Sequence, residues 1–207
     1  MISLTAVFGV AVLLSCADSL VGRWSERLEA GDLQHVIADQ ELYWPLTQDR
    51  MKQRMELWFL PPNRVKVCYS SPDSQAVIAN GREVWTIVPG NNQALVRQQD
   101  ASLTWRDTPL GSFLSLEAHS CSTTWMDGGE AGLSIQCVDR GGQNQFTRIE
   151  LFVPDGALWP SEARLVDISE NVTIYRILSW EEVPHTVSDD SLFRPDLPPE
   201  MEVVFVD

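Results

Sequence analysis

The sequence has few positive charges and few tyrosines. Only 15 Lys and Arg oppose 29 Asp and Glu, giving a net charge of −14, and three tyrosines stand against eight tryptophans. Nucleic-acid binding requires clustered basic residues that contact phosphates, and charge attraction to anionic lipid requires the same. The charge therefore argues against both modes of binding, and we attribute it to solubility.

The usual signatures of enzymes and metalloproteins are also missing. The histidines are His35, His119 and His185, far apart and without the spacing of a helical metal pair. No Cys-x-x-Cys or Gly-x-Ser-x-Gly motif occurs, and the Gly-Gly pairs at 128–129 and 141–142 lack the helix and lysine of a phosphate-binding loop. We therefore predict a non-enzymatic protein that uses no cofactor or metal ion.

No apolar run is long enough to span a membrane, but residues 1–17 are uncharged and apolar at their centre. A spanning helix needs about 20 apolar residues, whereas a secretory signal peptide is shorter. Two processing sites are open. Cys16 ends a Leu-Leu-Ser-Cys sequence typical of a bacterial lipobox, in which it becomes the lipidated N-terminus; alternatively, the Ser-Cys-Ala triplet around it permits cleavage before Asp18. The mature chain then begins at Cys16 or at Asp18, and in both cases residues 18–207 form one predicted domain.

Two of the four cysteines have a spacing that predicts a disulfide. The segment between Cys121 and Cys137 is centred on Gly129. If it is a hairpin that turns there, the two cysteines lie directly opposite each other, close enough to be bonded. An oxidising compartment would form the bond, in agreement with export. The alternative is two unrelated buried thiols, and Cys68 remains as a core thiol on a strand.

Short strands separated by turn residues are the dominant pattern. Between Met55 and Val96, Pro-Pro-Asn, Ser-Ser-Pro-Asp, Asn-Gly and Pro-Gly-Asn-Asn sequences separate segments with alternating apolar residues. Two helices are predicted at 18–30 and 109–119. The predicted strands are 33–44, 52–60, 64–69, 75–79, 83–88, 121–126, 133–138, 146–153, 163–168, 172–180 and 201–206. This pattern predicts a single, mainly β (α+β) domain, a curved antiparallel sheet of about 10–11 strands with helices on one side.

Three stretches carry a family resemblance. A strand, a Pro-Pro-Asn turn and a returning strand occupy 57–67; Ala-Asn-Gly-Arg-Glu-Val-Trp, a later proline and Gln-Ala occupy 79–94; and a Phe-Arg-Pro segment closes the chain at 193–203. These resemble motifs of the LolA family of periplasmic outer-membrane lipoprotein carrier proteins. More distantly, they resemble the lipoprotein LolB and other lipoprotein-sorting proteins. The resemblance extends over nearly the whole mature chain.

The resemblance implies an unclosed antiparallel barrel whose concave apolar face is covered by helices. In the family, this cavity holds the acyl chains of a lipoprotein that leaves the inner membrane and passes them to an acceptor at the outer membrane. Shielding is favourable because each methylene kept from water is worth about 0.8 kcal/mol. The sequence departs from the family at Pro61, where the carriers have an arginine that hydrogen-bonds the lid closed, and Arg64 is a candidate substitute.

The partners implied are acylated lipoproteins, with an inner-membrane lipoprotein exporter and an outer-membrane acceptor as further candidates. The protein would be a monomer in the periplasm of a Gram-negative bacterium, soluble or anchored through Cys16. Two other functions remain open. One is an outer-membrane-anchored acceptor that resembles LolB, and the other is an envelope sensor or interaction protein that uses the same fold to bind a protein partner.

Strand alternation and matched positions predict the residues of the site. The predicted cavity wall is Met55, Leu57, Phe59, Val65, Val67, Trp85 and Ile87. The predicted lid consists of Leu20, Trp24, Leu28, Leu110, Phe113 and Leu114. Ordinary core packing is the alternative interpretation for every one of these side chains.

Overall fold

The computed structural model describes residues 19–70, 74–116, 119–127, 131–139, 145–184 and 191–206. The predicted signal peptide at 1–17, Cys16 and His185 lie outside these ranges. Within them, no helix is both long and apolar enough to cross a membrane.

One continuous sheet of twelve strands forms the frame. The strands are β1 (Leu33–Trp44), β2 (Asp49–Leu60), β3 (Arg64–Ser70), β4 (Gln75–Asn80), β5 (Glu83–Val88), β6 (Gln93–Gln98), β7 (His119–Met126), β8 (Gly132–Asp139), β9 (Phe146–Pro154), β10 (Glu162–Asp167), β11 (Val172–Val183) and β12 (Glu202–Phe205). Their order across the sheet is β12-β6-β5-β4-β3-β2-β1-β11-β10-β9-β8-β7, so β12 and β7 are its two edges. The predicted mainly β, unclosed fold is confirmed.

The sheet consists of two antiparallel meanders, β1–β6 and β7–β11, joined where β1 pairs with β11. The structure differs from the prediction at two strands. β6 was not predicted as a strand, and β12 pairs with it in parallel, so the sheet is mixed. The chain between Val183 of β11 and Glu202 of β12 is a long connection, and a connection of this kind permits parallel pairing where a tight turn does not.

The first helix, α1, covers the described residues 19–29. Its buried residues Leu20, Trp24 and Leu28 recur every four positions and form one apolar stripe. Gly31, with a φ of +100°, supplies the left-handed conformation that turns the chain away from the helix and toward β1. The predicted helix at 18–30 is therefore confirmed over its described part.

The second predicted helix, at 109–119, is wrong in extent. The structure has a 3-10 helix at Trp105–Asp107, capped by Thr104, and then a single turn, α2, at Gly111–Leu114. The backbone leaves the helical region at Ser115, where ψ is 85°. Four residues later, His119 already pairs with Asp139 in the sheet, so strand pairing rather than helix propensity determines this end of the segment.

Side chains on the two faces of the sheet belong to two separate apolar clusters. The larger cluster contains α1, residues 105–116 and side chains from both meanders, such as Val84 on β5 and Ile135 on β8. Because these distant strands contribute to one cluster, the sheet curves around the helices, and we call this side the inner face. The smaller cluster lies on the outer face, beneath the closing segment around Phe193.

The predicted disulfide is confirmed. Cys121 and Cys137 are paired directly across β7 and β8 and are joined in a bond with a Cα–Cα distance of 4.0 Å. Cys137 is fully buried in the inner cluster. Cys68 on β3 is a free, partly buried thiol, and burial raises its pKa.

Replacing Cys121 and Cys137 by serine is expected to lower the free energy of unfolding by about 3 kcal/mol. A bond that closes a loop of this length restricts the unfolded chain by roughly that amount. Denaturant unfolding followed by circular dichroism measures the change, with Cys68→Ser as the single-cysteine control. Equal stability of the double variant and the wild type would contradict a structural role for the bond.

Candidate functional site

Five of the predicted wall residues share the inner face. Met55, Leu57 and Phe59 alternate along β2, and Val65 and Val67 lie opposite Phe59 and Leu57 on β3. None of the five is more than 5% exposed. Alternation along two paired strands therefore produces the continuous apolar surface that the sequence predicted.

All predicted lid residues contact this surface. Leu20, Trp24 and Leu28 of α1 are buried in the same cluster as the wall, and so are Leu110, Phe113 and Leu114 of the second segment. We refer to α1 together with residues 105–116 as the lid. Trp24 and Phe113 are among the largest fully buried side chains of the protein. In this conformation the inner face is therefore covered and filled by the protein's own side chains.

Trp85 and Ile87 do not belong to this wall, which corrects the prediction for both. Val84 points into the inner cluster, and because side chains alternate along a strand, Trp85 and Ile87 point to the outer face. There they pack with Ala94 and Phe193. The Asn-Gly turn before β5 predicted the hairpin. However, β5 has apolar residues on both faces, so its pattern did not determine which residues point to the inner face.

Much of the inner face comes from strands that were not included in the predicted site. Additional buried members are Val36, Ala38, Ala79, Val84, Leu133, Ile135, Ile149, Leu151, Val153, Ala163, Leu165 and Tyr175. The alternation of apolar residues in β8 and β9 could have identified several of them. Their contribution depends on the second meander curving over the lid, which no local pattern reveals.

Among the described residues, two side-chain polar contacts connect α1 to parts of the protein outside the lid. The indole Nε1 of Trp24 donates a hydrogen bond of 2.7 Å to the carbonyl oxygen of Leu158, and Arg27 forms an ion pair of 2.9 Å with Glu182 on β11. Arg64 lies opposite Leu60, whose side chain belongs to the outer cluster.

The two parts of the lid are also connected to each other. Arg106 forms an ion pair with Glu29 at 3.4 Å, and its guanidinium group lies 4.4 Å from the ring centre of Trp105.

A side chain at Gly111 would collide with the backbone of Arg106, so the tight return of the chain into α2 requires glycine.

A short chain of polar groups is buried beneath the lid. The hydroxyl of Tyr175 accepts a hydrogen bond of 2.9 Å from Gln40, and the Oε1 of Gln40 accepts one of 2.6 Å from Gln53. The hydroxyl of Ser112 in α2 donates a hydrogen bond of 2.6 Å to the carbonyl oxygen of Pro109. Burial raises the pKa of Tyr175 far above its usual range, so the hydroxyl stays neutral and able to donate. The bonds of Gln40 with Tyr175 and Gln53 therefore connect β1 to β11 and β2 at the centre of the sheet.

A cluster of charged residues surrounds Glu41 on the sheet. Glu41 contacts Arg50, Lys52 and Arg176 at 3.2–3.5 Å. Burial would raise the pKa of Glu41, but Lys52 and Arg176 more than offset this and lower it. Among the described residues, no group of His, Cys, Asp and Glu side chains is arranged to hold a metal ion.

The fold is an open, curved sheet whose apolar inner face is covered by short helical segments, an unclosed barrel. The sequence model of the family described as "Outer membrane lipoprotein carrier protein LolA" matches residues 46–196. The chain therefore belongs to the LolA family. Comparison with curated proteins finds no significant match.

Solved structures share this fold at low sequence identity. An uncharacterized conserved protein from Thermus thermophilus superposes with a TM-score of 0.57 at 14% identity, over 92% of this chain and 99% of the other. MucB superposes with a TM-score of 0.52 at 13% identity, over 92% of this chain and 66% of the other. At these identities the similarity shows the fold alone.

Replacing Tyr175 by phenylalanine is expected to lower the free energy of unfolding by about 1–3 kcal/mol, because buried Gln40 loses its acceptor. Chemical denaturation at neutral pH measures the change. Tyr69→Phe is the matched control, since Tyr69 is a largely buried tyrosine whose hydroxyl has no hydrogen bond among the described residues. Equal effects of the two substitutions would show that the polar chain beneath the lid contributes nothing specific.

Proposed function

We propose that the protein is an exported carrier that binds the acyl chains of lipoproteins on its inner face when the lid moves aside. The observation that supports this most strongly is the continuous apolar surface shared by wall and lid, with few polar contacts from α1 to the sheet in the described part of the chain. Membership of the LolA family supports the same function. The clients would be acylated lipoproteins, received from an inner-membrane exporter and passed toward an outer-membrane acceptor.

The free energy gained by burying the lid side chains against the inner face is comparable with the free energy gained by burying acyl chains there. Burying the eight large apolar side chains of the lid is worth about 1.5–3 kcal/mol each, whereas an acyl chain of about 15 methylenes gains roughly 12 kcal/mol. One to two chains therefore approximately offset the displacement of the lid. The bound state is then stable enough for transport yet close enough in energy to permit release.

The lid is also suited to movement because its pieces are short. α2 is a single turn at Gly111–Leu114, and a helix of that length has no stability without tertiary contacts. α1 precedes β1 in the chain. Within the described residues, its covalent connection to the sheet is at its C-terminal end alone. Moving either piece leaves the strand pairing of the twelve-stranded sheet unchanged.

A second function remains in consideration because the inner face is filled in the described conformation. On this alternative the lid is a permanent part of the core, and the protein is an envelope sensor or interaction protein that binds a protein partner through its surface. A third version, an outer-membrane-anchored acceptor similar to LolB, has the same acyl-binding face and differs in the fate of Cys16. Mass spectrometry of the mature N-terminus distinguishes a lipidated Cys16 from cleavage before Asp18.

Weakening the lid is expected to strengthen acyl binding. Leu28→Ala removes lid packing and lowers the cost of opening, so the apparent affinity for a diacylated lipopeptide should rise about tenfold or more. Displacement of a hydrophobic fluorescent dye by the lipopeptide measures this. Leu60→Ala is the matched control, because Leu60 is also buried, at 4% exposed, but belongs to the outer cluster.

The control variant should lose stability without any change in lipopeptide affinity. If both variants bind the lipopeptide as the wild type does, the lid does not regulate access to the inner face. If no form of the protein binds any acyl chain, the carrier proposal is wrong and the partner-binding alternative is favoured.

A further inference from the structure

Two polar contacts of α1 meet at one corner of the inner face. The Nε1 of Trp24 donates to the carbonyl oxygen of Leu158, and Arg27 pairs with Glu182. Leu158 lies in the connection between β9 and β10, residues 155–161, and Glu182 lies near the end of β11. α1 leads directly into β1, whose first residues pair with this end of β11. The covalent connection of α1 and these two polar contacts are therefore located at the same corner.

A bulge in β11 places a tryptophan at this corner. Ile177 packs against the inner cluster, and strict alternation would bring Ser179 to the inner face next. The register with β1 shifts after Ile177, however, and leaves Leu178 as an extra residue. Because a shift of one residue exchanges the two faces of a strand, Trp180 packs against the inner cluster instead of Ser179.

Trp180 connects the loop between β9 and β10 to the sheet. Its ring stacks on that of Trp159, with ring centres 4.0 Å apart and planes 6° from parallel. Its Nε1 donates a hydrogen bond of 2.9 Å to Oε1 of Gln34, which is fully buried. Trp159 directly follows Leu158, so the stack fixes the chain next to the carbonyl group that accepts from Trp24.

Backbone hydrogen bonds fix the same loop on either side of the stack. The N–H of Ala157 donates to the carbonyl oxygen of Pro154 at 3.0 Å, and the carbonyl oxygen of Ser161 accepts from Ile177 at 2.8 Å. These bonds connect the loop to β9 and β11. The carbonyl group of Leu158 is therefore an acceptor that belongs to the sheet and does not move with α1.

We infer that Leu158, Trp159 and Trp180 form a clasp for α1. The stacked tryptophans position the carbonyl group of Leu158, and the hydrogen bond from Trp24 determines how often α1 leaves the inner face. Trp159 and Trp180 are positioning residues, because they act on Trp24 through Leu158. This inference rests on the proposed carrier function and adds its regulation, since the clasp determines the cost of opening and with it the apparent affinity for acyl chains.

The first test removes the hydrogen bond and keeps an aromatic ring at its position. Trp24→Phe does this, and Trp105→Phe is the matched control, because Trp105 is also buried in the inner cluster but its Nε1 has no hydrogen-bond partner among the described residues. Hydrogen exchange is measured on the ligand-free protein. Amides in 19–29 should exchange about fivefold faster in Trp24→Phe than in Trp105→Phe, because one hydrogen bond changes the opening equilibrium by about that factor.

The second test removes the stack and keeps both partners of the hydrogen bond. Trp159→Leu should accelerate exchange of amides in 19–29 by about threefold, since the carbonyl group of Leu158 is no longer fixed. Trp58→Leu is the control, because Trp58 loses a similar stack, with His35, beside the outer cluster, and it should leave these amides unchanged. This pair keeps the inference testable if Trp24→Phe does not fold.

Displacement of a hydrophobic dye by a diacylated lipopeptide links the clasp to binding. Trp24→Phe should bind the lipopeptide about fivefold more tightly than Trp105→Phe, in proportion to the change in opening. Equal exchange of amides in 19–29 in these two variants would overturn the inference, and so would wild-type exchange in Trp159→Leu or faster exchange without tighter binding. Faster exchange in a protein of which no form binds acyl chains would instead support the clasp and overturn the carrier function.

Discussion

The need to cover one apolar face of an open sheet determines most of this structure. The sheet has two free edges, so its inner face is not sealed by closure into a barrel, and uncovered it would expose side chains from both meanders to water. The lid meets this need with two short pieces and few polar contacts. The inner face therefore stabilises the folded protein when the lid covers it. In our proposal it also binds acyl chains, so the lid and the acyl chains compete for the same surface.

The parts of the fold that depend on local pattern were predictable from the sequence. The apolar stripe of α1, the alternation along β2 and β3, and the opposition of Cys121 and Cys137 across a hairpin all follow from fixed periodicities. Each involves residues close together in the chain, where helix or strand geometry alone determines which side chains meet. These elements also account for five of the predicted wall residues and all of the predicted lid residues.

The features that were missed depend on long-range pairing. Trp85 and Ile87 were placed on the wrong face because β5 is apolar on both sides, and only the closing segment around Phe193 reveals that its outer side is also covered. The helix predicted at 109–119 stops at Ser115 because His119 is already paired with β8.

The most direct measurement of the central claim is hydrogen exchange of the lid with and without a diacylated lipopeptide. If acyl chains take the place of the lid, amides in residues 19–29 and 105–114 should exchange faster when ligand is bound, while amides of β12 and the closing segment on the outer face keep their protection. Unchanged or slower exchange throughout the lid, in protein demonstrably saturated with lipopeptide, would contradict the account.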